Sequence, residues 1–383
     1  MDKYIIIGGS HLQLDFIKCA KAYGLETHVI DYNPEALGAS EADVFHCISI
    51  DDKDAILALA EKIKPIGIHT VSTEQGNVSA CYVGEKLNLA TNSYKTSLDT
   101  TNKVRMKAVL AGHHITTPPA LCITDPNEVE QLDIKLPIMV KAADRSAGRG
   151  VQMANTEAEL NEAIAEAFLQ SFEGQVLLEE YLDAPQYSVE TVSYQGKHQV
   201  IAITEQWMDG SVYCVETGHY LPAKLSEANE NTLSAFCIQV LDAFDIQFGA
   251  CHVEIRIKDG IVSLIEIASR MGGWRHWMVD HALKTDYQLA ILKSSLNENP
   301  FVDATRSEDI STCRIITCNQ DIEIYREFIK LYPERMIVDL VEDKAGSFKI
   351  TSLIDASGLY IYKSNEQFEN TQWLALEQAT PDK

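Results

Sequence analysis

The sequence is short of basic side chains and of long apolar runs. Its 383 residues include 32 lysines and arginines against 56 aspartates and glutamates, which gives a formal net charge of −24. This surplus of negative charge argues against a nucleic acid or an anionic membrane surface as partner, because both repel an acidic protein. No apolar run reaches the length of about 18 residues that a membrane-spanning helix needs.

The cysteines form no recognisable pattern. There are nine of them, an odd number, and no two are spaced as Cys-x-x-Cys. Reduced thiols in a cytoplasmic protein are therefore expected, rather than a disulfide framework or a zinc site. The first residues, Met1 to Lys3, lead directly into an apolar strand without the charged-then-apolar segment of an export signal, which also predicts a cytoplasmic location.

The amino-terminal region has the pattern of a doubly wound parallel sheet. An apolar strand over Lys3–Ser10 ends in two glycines, a helix runs from Phe16 to Tyr23, and a second strand covers Leu25–Asp31. Gly8 and Gly9 followed by an acidic residue at Asp31 suggest a nicotinamide site, but the third, spaced glycine is missing. The chain length predicts two or three domains in all.

Two acidic residues, Glu254 and Glu266, lie on what we predict to be one β-hairpin. Residues 252–258 alternate polar and apolar side chains, Asp259-Gly260 is a turn signal, and residues 261–268 form the return strand. A two-residue turn would put the two acids on opposite faces. A three-residue loop, Lys258 to Gly260 with Gly260 left-handed, pairs Glu254 with Leu264 and leaves Glu266 on the same face, about 7–8 Å away diagonally. We predict the three-residue loop and a Mg²⁺ site, although on the acids alone a solvated surface hairpin is favoured.

Three further segments carry charged or glycine-rich patterns. An apolar strand over Leu136–Lys141 ends in a lysine, and a small loop with Arg145, Gly148 and Arg149 follows it. Such a loop suits phosphate oxygens, but it matches neither the P-loop nor the dinucleotide fingerprint. Downstream, Val176–Leu182 is a strand that runs into acidic residues, and Ala268 begins the sequence Ala-Ser-Arg-Met-Gly-Gly-Trp-Arg.

The order of these segments resembles the ATP-grasp superfamily, in particular its carboxylate–amine ligases, over roughly residues 1 to 290. The resemblance implies an ATP-grasp fold of mixed α/β and α+β class. It would comprise a Rossmann-like domain (1–95), a linker helix with the first ATP-grasp subdomain (96–185), a second subdomain with the metal hairpin (186–298) and a small α+β cap (299–383). In the cap we expect strands over 313–318, 336–341, 347–353 and 358–363.

The resemblance also implies roles for individual residues. Catalytic roles fall on Arg270, Glu216 and His219, with either of the last two as a general base for the amine, and the Mg²⁺ ligands (Mn²⁺ being an alternative ion) on Glu254 and Glu266. The nucleotide would be bound by Lys103, Lys141, Ser146, Gly148, Arg149, Glu179, Glu180, Tyr181 and Leu182. The predicted substrate contacts are Glu74, Arg270, Gly273 and Trp274; of these, Glu74, with Thr73, is predicted from its position outside a strand end of the parallel sheet, and Trp274 from its place after the glycine pair.

Several of these residues have ordinary structural explanations. Lys103 lies on an amphipathic pattern, where a surface lysine is the default. Glu74 is equally consistent with a helix start, and Trp274 with plain packing. Ala268 stands where most of these enzymes carry an asparagine ligand, which leaves open whether one or two Mg²⁺ ions bind. The same alanine, followed by Arg, Gly and Trp, is similar to bacterial L-amino acid ligases of the bacilysin-synthesis type.

The implied activity is the ATP-dependent conversion of a carboxylate into an acyl phosphate and its condensation with an amine, with release of ADP and phosphate. Amino acids forming a dipeptide or amide are the expected substrates, and their identity is not fixed by the sequence. The partners would be small molecules, with a homodimer left open. The alternatives are a biotin-carboxylase-like or purine-biosynthesis enzyme of the same superfamily, and a catalytically silent ATP-binding regulator.

Overall fold

The computed structural model describes residues 1–302, 309–342 and 350–379. The described elements are organised around three β-sheets, of four, four and eight strands. None of the helices in these ranges combines the length and the apolar character needed to cross a bilayer.

The amino-terminal sheet is parallel, with strand order β3-β2-β1-β4. This confirms the predicted α/β start of the chain. The glycine turn after β1 is bound to the protein's own side chains: Asp31 accepts from the Gly9 amide at 2.9 Å, and Gln13 accepts from the Ser10 amide at 3.0 Å. The elements of this region are β1 (Lys3–Ile7), α1 (Leu14–Ala22), β2 (Glu26–Asp31), α2 (Leu37–Glu41), β3 (Val44–Cys47), α3 (Lys53–Ile63), β4 (Gly67–His69), α4 (Glu74–Leu87), α5 (Tyr94–Asp99) and α6 (Lys103–Gly112).

The second sheet is antiparallel, in the order β5-β8-β6-β7, and one helix covers it. The apolar side of α7 packs on the sheet and buries Leu160, Ile164 and Ala167 against strand residues such as Val140 and Leu178. The elements are β5 (Ala120–Ile123), β6 (Ile138–Ala142), β7 (Val151–Ala154), α7 (Glu157–Gln170) and β8 (Val176–Glu180).

The third sheet has eight strands in the order β13-β12-β9-β10-β11-β14-β16-β15. The carboxyl-terminal strands therefore continue the sheet of the preceding region, because β14 pairs with β11. The elements are β9 (Gln186–Tyr194), β10 (Lys197–Met208), β11 (Glu216–Leu221), α8 (Glu227–Ala243), β12 (Phe248–Lys258), β13 (Ile261–Ala268), α9 (Arg275–Leu283), α10 (Tyr287–Ser295), β14 (Ile310–Ile315), α11 (Asn319–Leu331), β15 (Met336–Asp339), β16 (Leu359–Ser364) and α12 (Leu374–Ala379).

One predicted strand of the carboxyl-terminal region, 347–353, is not found among the described residues. Of the segment 347–353, residues 347–349 lie outside the described residues, and the remainder leads into a short 3₁₀ turn over Leu353–Asp355. Asp355 accepts hydrogen bonds from the amides of Thr351 and Ser352, both at 3.0 Å. Because these bonds satisfy the backbone locally, the segment forms a capped turn.

The predicted loop of the metal hairpin is also wrong, although the placement of the two acids on one face is right. Asp259 and Gly260 form a two-residue turn, both with positive φ (51° and 80°), and Lys258 pairs with Ile261. This register alone would place Glu266 on the opposite face, but a β-bulge interrupts the ladder between Glu254 and Ile255. The extra residue on β13 restores the match, so Glu254 lies directly opposite Glu266 rather than Leu264.

Candidate active site

A cavity of about 1110 Å³ lies where the three sheets approach one another. Most of the residues that the sequence assigned to a nucleotide, a metal or a substrate are in its wall. They are Glu74, Lys103, Lys141, Ser146, Gly148, Glu179, Glu180, Tyr181, Leu182, Glu216, Glu254, Glu266, Arg270, Gly273 and Trp274. Two residues are not in the wall: His219 lies behind it, and Arg149 folds back onto its own loop, where its Nε donates to the carbonyl of Ser146 at 3.0 Å.

One end of the cavity holds a buried cluster of two lysines on one carboxylate. Glu179, at the end of β8, forms ion pairs with Lys141 on the neighbouring strand and with Lys107 on α6, the latter at 2.5 Å. Burial alone would raise the pKa of Glu179, but the two ammonium groups outweigh it and lower the pKa. Lys141 and Glu179 line the cavity and Lys107 does not, so the carboxylate fixes the orientation of a cavity lysine.

Replacement of Glu179 by Gln is expected to destabilise the protein by about 3–5 kcal/mol, because it leaves two buried ammonium groups without their carboxylate. The pKa of Glu179 is lower in the folded state than in the unfolded chain. The stabilisation is therefore complete above about pH 4.3, the ordinary value, and is lost as the pH falls below it. Unfolding in urea at pH 7 and pH 3.5 measures both effects. A variant as stable as the wild type at pH 7 would contradict the assignment.

The loop after β6 is held beside the start of helix α6. Asn102 caps that helix by accepting from the amides of Val104 and Arg105, and the first helical amide, of Lys103, donates to the carbonyl of Ala143 at 2.7 Å. The Lys103 ammonium then donates to the carbonyl of Arg145 at 2.8 Å. The sequence suggested a surface lysine as the default, but Lys103 is only 4 % exposed and points into the site.

The loop itself contains two consecutive residues with positive φ and is held from both sides. Ala147 and Gly148 have φ of 57° and 74°, so consecutive residues adopt the left-handed conformation. Arg145 stacks on the ring of Phe172, with 4.3 Å between its guanidinium carbon and the ring centre. From the other side, the amide of Leu353 donates to the carbonyl of Ala147 at 3.2 Å, so the carboxyl-terminal region covers the loop.

Glu254 and Glu266 face each other in the middle of the cavity wall. Glu254 accepts from Gln186 at 3.2 Å through one oxygen and contacts His252 Nε2 at 3.3 Å through the other. Glu266 contacts the Lys103 ammonium at 3.3 Å. Among the described residues, no group of three or more His, Cys, Asp or Glu side chains is arranged to hold a metal by itself. Two carboxylates that face one cavity fit Mg²⁺, which typically completes its shell with phosphate oxygens and water.

The sequence reasoning missed a buried histidine next to this pair. His252 contacts Glu190 through Nδ1 and Glu254 through Nε2. Burial alone would lower the pKa of His252, but Glu190 outweighs it and raises the pKa to about 9, so the imidazole is charged at neutral pH. The signal was present in the two-residue alternation, which places His252 on the same face of β12 as Glu254.

His219, the other histidine, is neutral and fully engaged. Trp274 donates its indole N–H to His219 Nδ1 at 3.1 Å, so the proton of the ring is assigned to Nε2, which donates to Glu216 at 2.8 Å. Burial lowers the pKa of His219 to about 4. Both ring nitrogens are committed, which leaves Glu216, in the cavity wall, as the member of the pair that meets a ligand.

The neutrality of His219 has a consequence for stability. Between about pH 6.5 and pH 4 the unfolded chain binds a proton at this position and the folded protein does not, so the free energy of unfolding decreases as the pH falls through that range. The expected contribution is about 3 kcal/mol. His219→Gln should flatten this part of the stability–pH curve, measured by urea unfolding at half-unit intervals. A variant with the full wild-type slope would assign the effect to another group.

The substrate side of the cavity joins the amino-terminal sheet to the loop after β13. Glu74, the first residue of α4, forms an ion pair with Arg270, and Thr73 caps the helix while also facing the cavity. The helix-start interpretation is therefore confirmed, and the contact of Glu74 with a substrate stays a prediction. Ser72 adopts a left-handed conformation (φ 63°) and donates to the carbonyl of Gly273 at 3.0 Å, which fixes the loop that carries Trp274.

Comparison with known proteins relates the chain to enzymes of known families. Residues 134–277 match the family described as ATP-grasp domain. The carbamoyl phosphate synthase large chain of Thermoanaerobacter pseudethanolicus is 22% identical over 70% of this chain, and the chain spans only 27% of that protein's length. The D-alanine–D-alanine ligase of Thermosipho africanus is 25% identical over 60% of this chain and 68% of its own length.

The solved structures extend the similarity to the whole chain. The L-amino acid ligase from Bacillus licheniformis superposes with a TM-score of 0.83 at 17% identity, over 99% of this chain and 97% of that one. The biotin carboxylase domain dimer of the Hydrogenobacter thermophilus 2-oxoglutarate carboxylase, in complex with MgADP and bicarbonate, superposes with a TM-score of 0.72 at 16% identity, over 95% of this chain and 86% of that one. Family match and superpositions together show that the chain contains an ATP-grasp domain and has the ATP-grasp fold from its amino-terminal sheet to its carboxyl-terminal strands.

Proposed function

We propose that the protein is an ATP-dependent carboxylate–amine ligase that forms an acyl phosphate and condenses it with an amine, releasing ADP and phosphate. The observation that carries the proposal is the direct opposition of Glu254 and Glu266 in the same cavity wall as Lys103 and Lys141. Two carboxylates and two ammonium groups on one cavity match the needs of a metal–triphosphate complex, whose transfer reaction depends on positioning and charge neutralisation.

The nucleotide would occupy the end of the cavity formed by the second sheet. The main chain at Glu180 and Leu182 would meet the purine, and Lys141, held by Glu179, would meet a phosphate. Mg²⁺ bound between Glu254 and Glu266 would neutralise the triphosphate charge. The loop with Ala147 and its neighbours would cover the phosphates from one side. The contact of Leu353 with this loop helps to exclude water, which would otherwise hydrolyse an acyl phosphate.

The reacting carboxylate would lie beside Arg270, whose guanidinium suits the charge of a carboxylate and of the acyl phosphate formed from it. Glu74 holds this arginine in place through its ion pair. The amine must lose a proton to attack, and Glu216 is the carboxylate in the wall that could accept one. The hydrogen bond from His219 helps to lower the pKa of Glu216 against the effect of burial, so the carboxylate is ionised at neutral pH and would orient the amine for attack.

Amino acids are the proposed substrates. The support is twofold: an L-amino acid ligase shares the fold over nearly the whole of both chains, and a D-alanine–D-alanine ligase is among the sequence relatives. Trp274, fixed by its hydrogen bond to His219, closes one side of the cavity and would limit the size of the substrate side chain.

Phosphate release from ATP and Mg²⁺ across a matrix of amino acid pairs, with mass spectrometry of the products, tests the proposal. The expected result is release that requires a particular pair and yields one condensed product per ADP. Release that depends on bicarbonate instead of an amino acid would favour a carboxylase of the same fold. Nucleotide binding without any phosphate release would point to a regulator.

A further inference from the structure

Next to the two facing carboxylates lies a chain of largely buried polar and charged side chains, Glu254–His252–Glu190–Arg275, to which the proposed reaction gives no direct role. His252 connects Glu190 to Glu254, with Nε2 at 3.3 Å from the Glu254 carboxylate. Glu190 has no exposed surface and His252 is 8 % exposed. Buried charges are expensive unless they are paired, and an apolar pair of similar volume would pack as well, so packing alone does not explain these residues.

The far end of the chain is bound to the substrate loop. Glu190 accepts from the amide of Gly272 at 3.1 Å, and Arg275 approaches the same carboxylate at 3.7 Å. A Cβ atom at Gly272 would lie 2.7 Å from Glu190 Oε1 and 2.8 Å from His252 Nδ1. The loop backbone therefore rests directly on the bond between these two side chains, and the next two residues, Gly273 and Trp274, line the cavity.

We propose that Glu190 and His252 are positioning residues that orient the Glu254 carboxylate and the Gly272–Trp274 loop together, and so couple the metal–nucleotide site to the substrate site. The inference rests on the proposed function and extends it. The chain of contacts begins at Glu254, the proposed metal ligand, and ends at the loop that would contact the substrate. His252 and Glu190 connect the two, and they are register partners on the adjacent strands β12 and β9. A shift of Glu254 toward a cation would change its hydrogen bond with His252. The change would pass to Glu190, which contacts His252, and from there to the hydrogen bond between Glu190 and the Gly272 amide.

Coupling of this kind is reciprocal: if Mg²⁺–nucleotide binding repositions the loop, the position of the loop changes the affinity for Mg²⁺–nucleotide by the same factor. Two substitutions separate the two contacts. In His252→Asn the side-chain amide superposes on Nδ1, keeps the contact with Glu190 and loses that with Glu254. In His252→Gln the amide superposes on Nε2, keeps the contact with Glu254 and loses that with Glu190.

The test uses ADP as the probe and measures its dissociation constant by calorimetry with Mg²⁺ and with EDTA. Trp274 fluorescence, isolated by comparison with Trp274→Phe, reports on the loop. In the wild type we expect Mg²⁺ to strengthen ADP binding and to change the Trp274 emission. His252→Asn should reduce the Mg²⁺-dependent gain in ADP affinity by about tenfold, as substitutions of other residues that orient metal ligands do. His252→Gln should retain most of the strengthening and lose the change in emission. ADP affinity in EDTA should be unchanged in both.

The matched control is His198→Gln, which removes another buried histidine of the same sheet. His198 pairs with Asp242 at 3.3 Å and lies outside the cavity wall, so both readouts should remain as in the wild type. If the wild type binds ADP with Mg²⁺ and both His252 variants behave like it, the coupling proposal fails and the proposed function stands. If the wild type does not bind ADP at all, both fail together. Thermal unfolding of each variant verifies that it is folded. If a His252 variant is not folded, Glu190→Gln takes its place, and we expect it to lose the change in Trp274 emission.

Discussion

Substitution of Glu266 by Gln is expected to reduce ATP turnover by about a thousandfold, with the protein still folded. The amide has the size of the carboxylate but not its charge. In the wild type the Glu254 and Glu266 carboxylates lie opposite each other and can bind one cation together, which the substitution prevents. The Lys103 ammonium, 3.3 Å from Glu266, also loses its carboxylate. Phosphate release at saturating Mg²⁺ and ATP, with the substrate pair found by the matrix experiment, measures the effect.

The control for this substitution is Glu205→Gln. Glu205 lies on β10 of the same sheet, outside the cavity wall, and accepts a hydrogen bond from the Trp207 indole at 3.0 Å. The Glu205→Gln substitution makes the same chemical change at a residue that does not line the cavity, so the turnover of this variant should stay within about twofold of the wild type. A Glu266→Gln enzyme that keeps a tenth or more of the wild-type rate would overturn the metal assignment.

Substitution of Lys141 by Met is expected to reduce kcat/KM for ATP by about a hundredfold. Met fills the same space but removes an ammonium group that Glu179 directs toward the cavity. The protein should remain folded, because Glu179 keeps its second ion pair, with Lys107 at 2.5 Å. Initial rates over a range of ATP concentrations separate the loss in kcat from the rise in KM.

Lys107→Met is the matched comparison, since it removes the other lysine from the same carboxylate. Lys107 is absent from the cavity wall, so its loss should lower the midpoint of urea unfolding and leave kcat/KM within about threefold of the wild type. Equal catalytic losses in the two variants would mean that the cluster acts on the site only through the stability of the sheet, and that Lys141 makes no direct contact with the nucleotide.

The sequence was sufficient for the parts of the fold that rest on local periodicity. The parallel start over β1, α1 and β2 and the hairpin of β12 and β13 follow from alternation and from the 3.6-residue repeat, which depend only on neighbours in the chain. The resemblance supplied the order of the remaining segments. The turn at Asp259-Gly260 shows the boundary of this reasoning: the register depends on a bulge, and no residue type in β13 requires one.

The residues that sequence reasoning missed share one property: their roles depend on burial. Lys107 and Glu190 look like ordinary surface charges on amphipathic elements, and only the approach of other strands shows that they are enclosed. His219 was proposed as a base because histidine usually titrates near neutrality. Its hydrogen bond from Trp274, 55 residues further along the chain, could not be read from the sequence.

Both strands of the metal hairpin are held close to the two acids by contacts that do not involve its turn. Pairing with β9 fixes β12, and on β13 the Leu264 amide donates to the carbonyl of Thr116 while its carbonyl accepts from the Thr117 hydroxyl, both at 2.9 Å. The four residues Lys258 to Ile261 should therefore be free to vary without moving the site. Extra residues inserted between Asp259 and Gly260, such as a short peptide tag or a labelling sequence, should leave the carboxylates where they are. Deletion of one residue within Leu264–Glu266 should instead rotate Glu266 away from the cavity. For protein engineering, a tag or label is therefore best inserted at Asp259-Gly260, and residues 264–266 should be left unchanged.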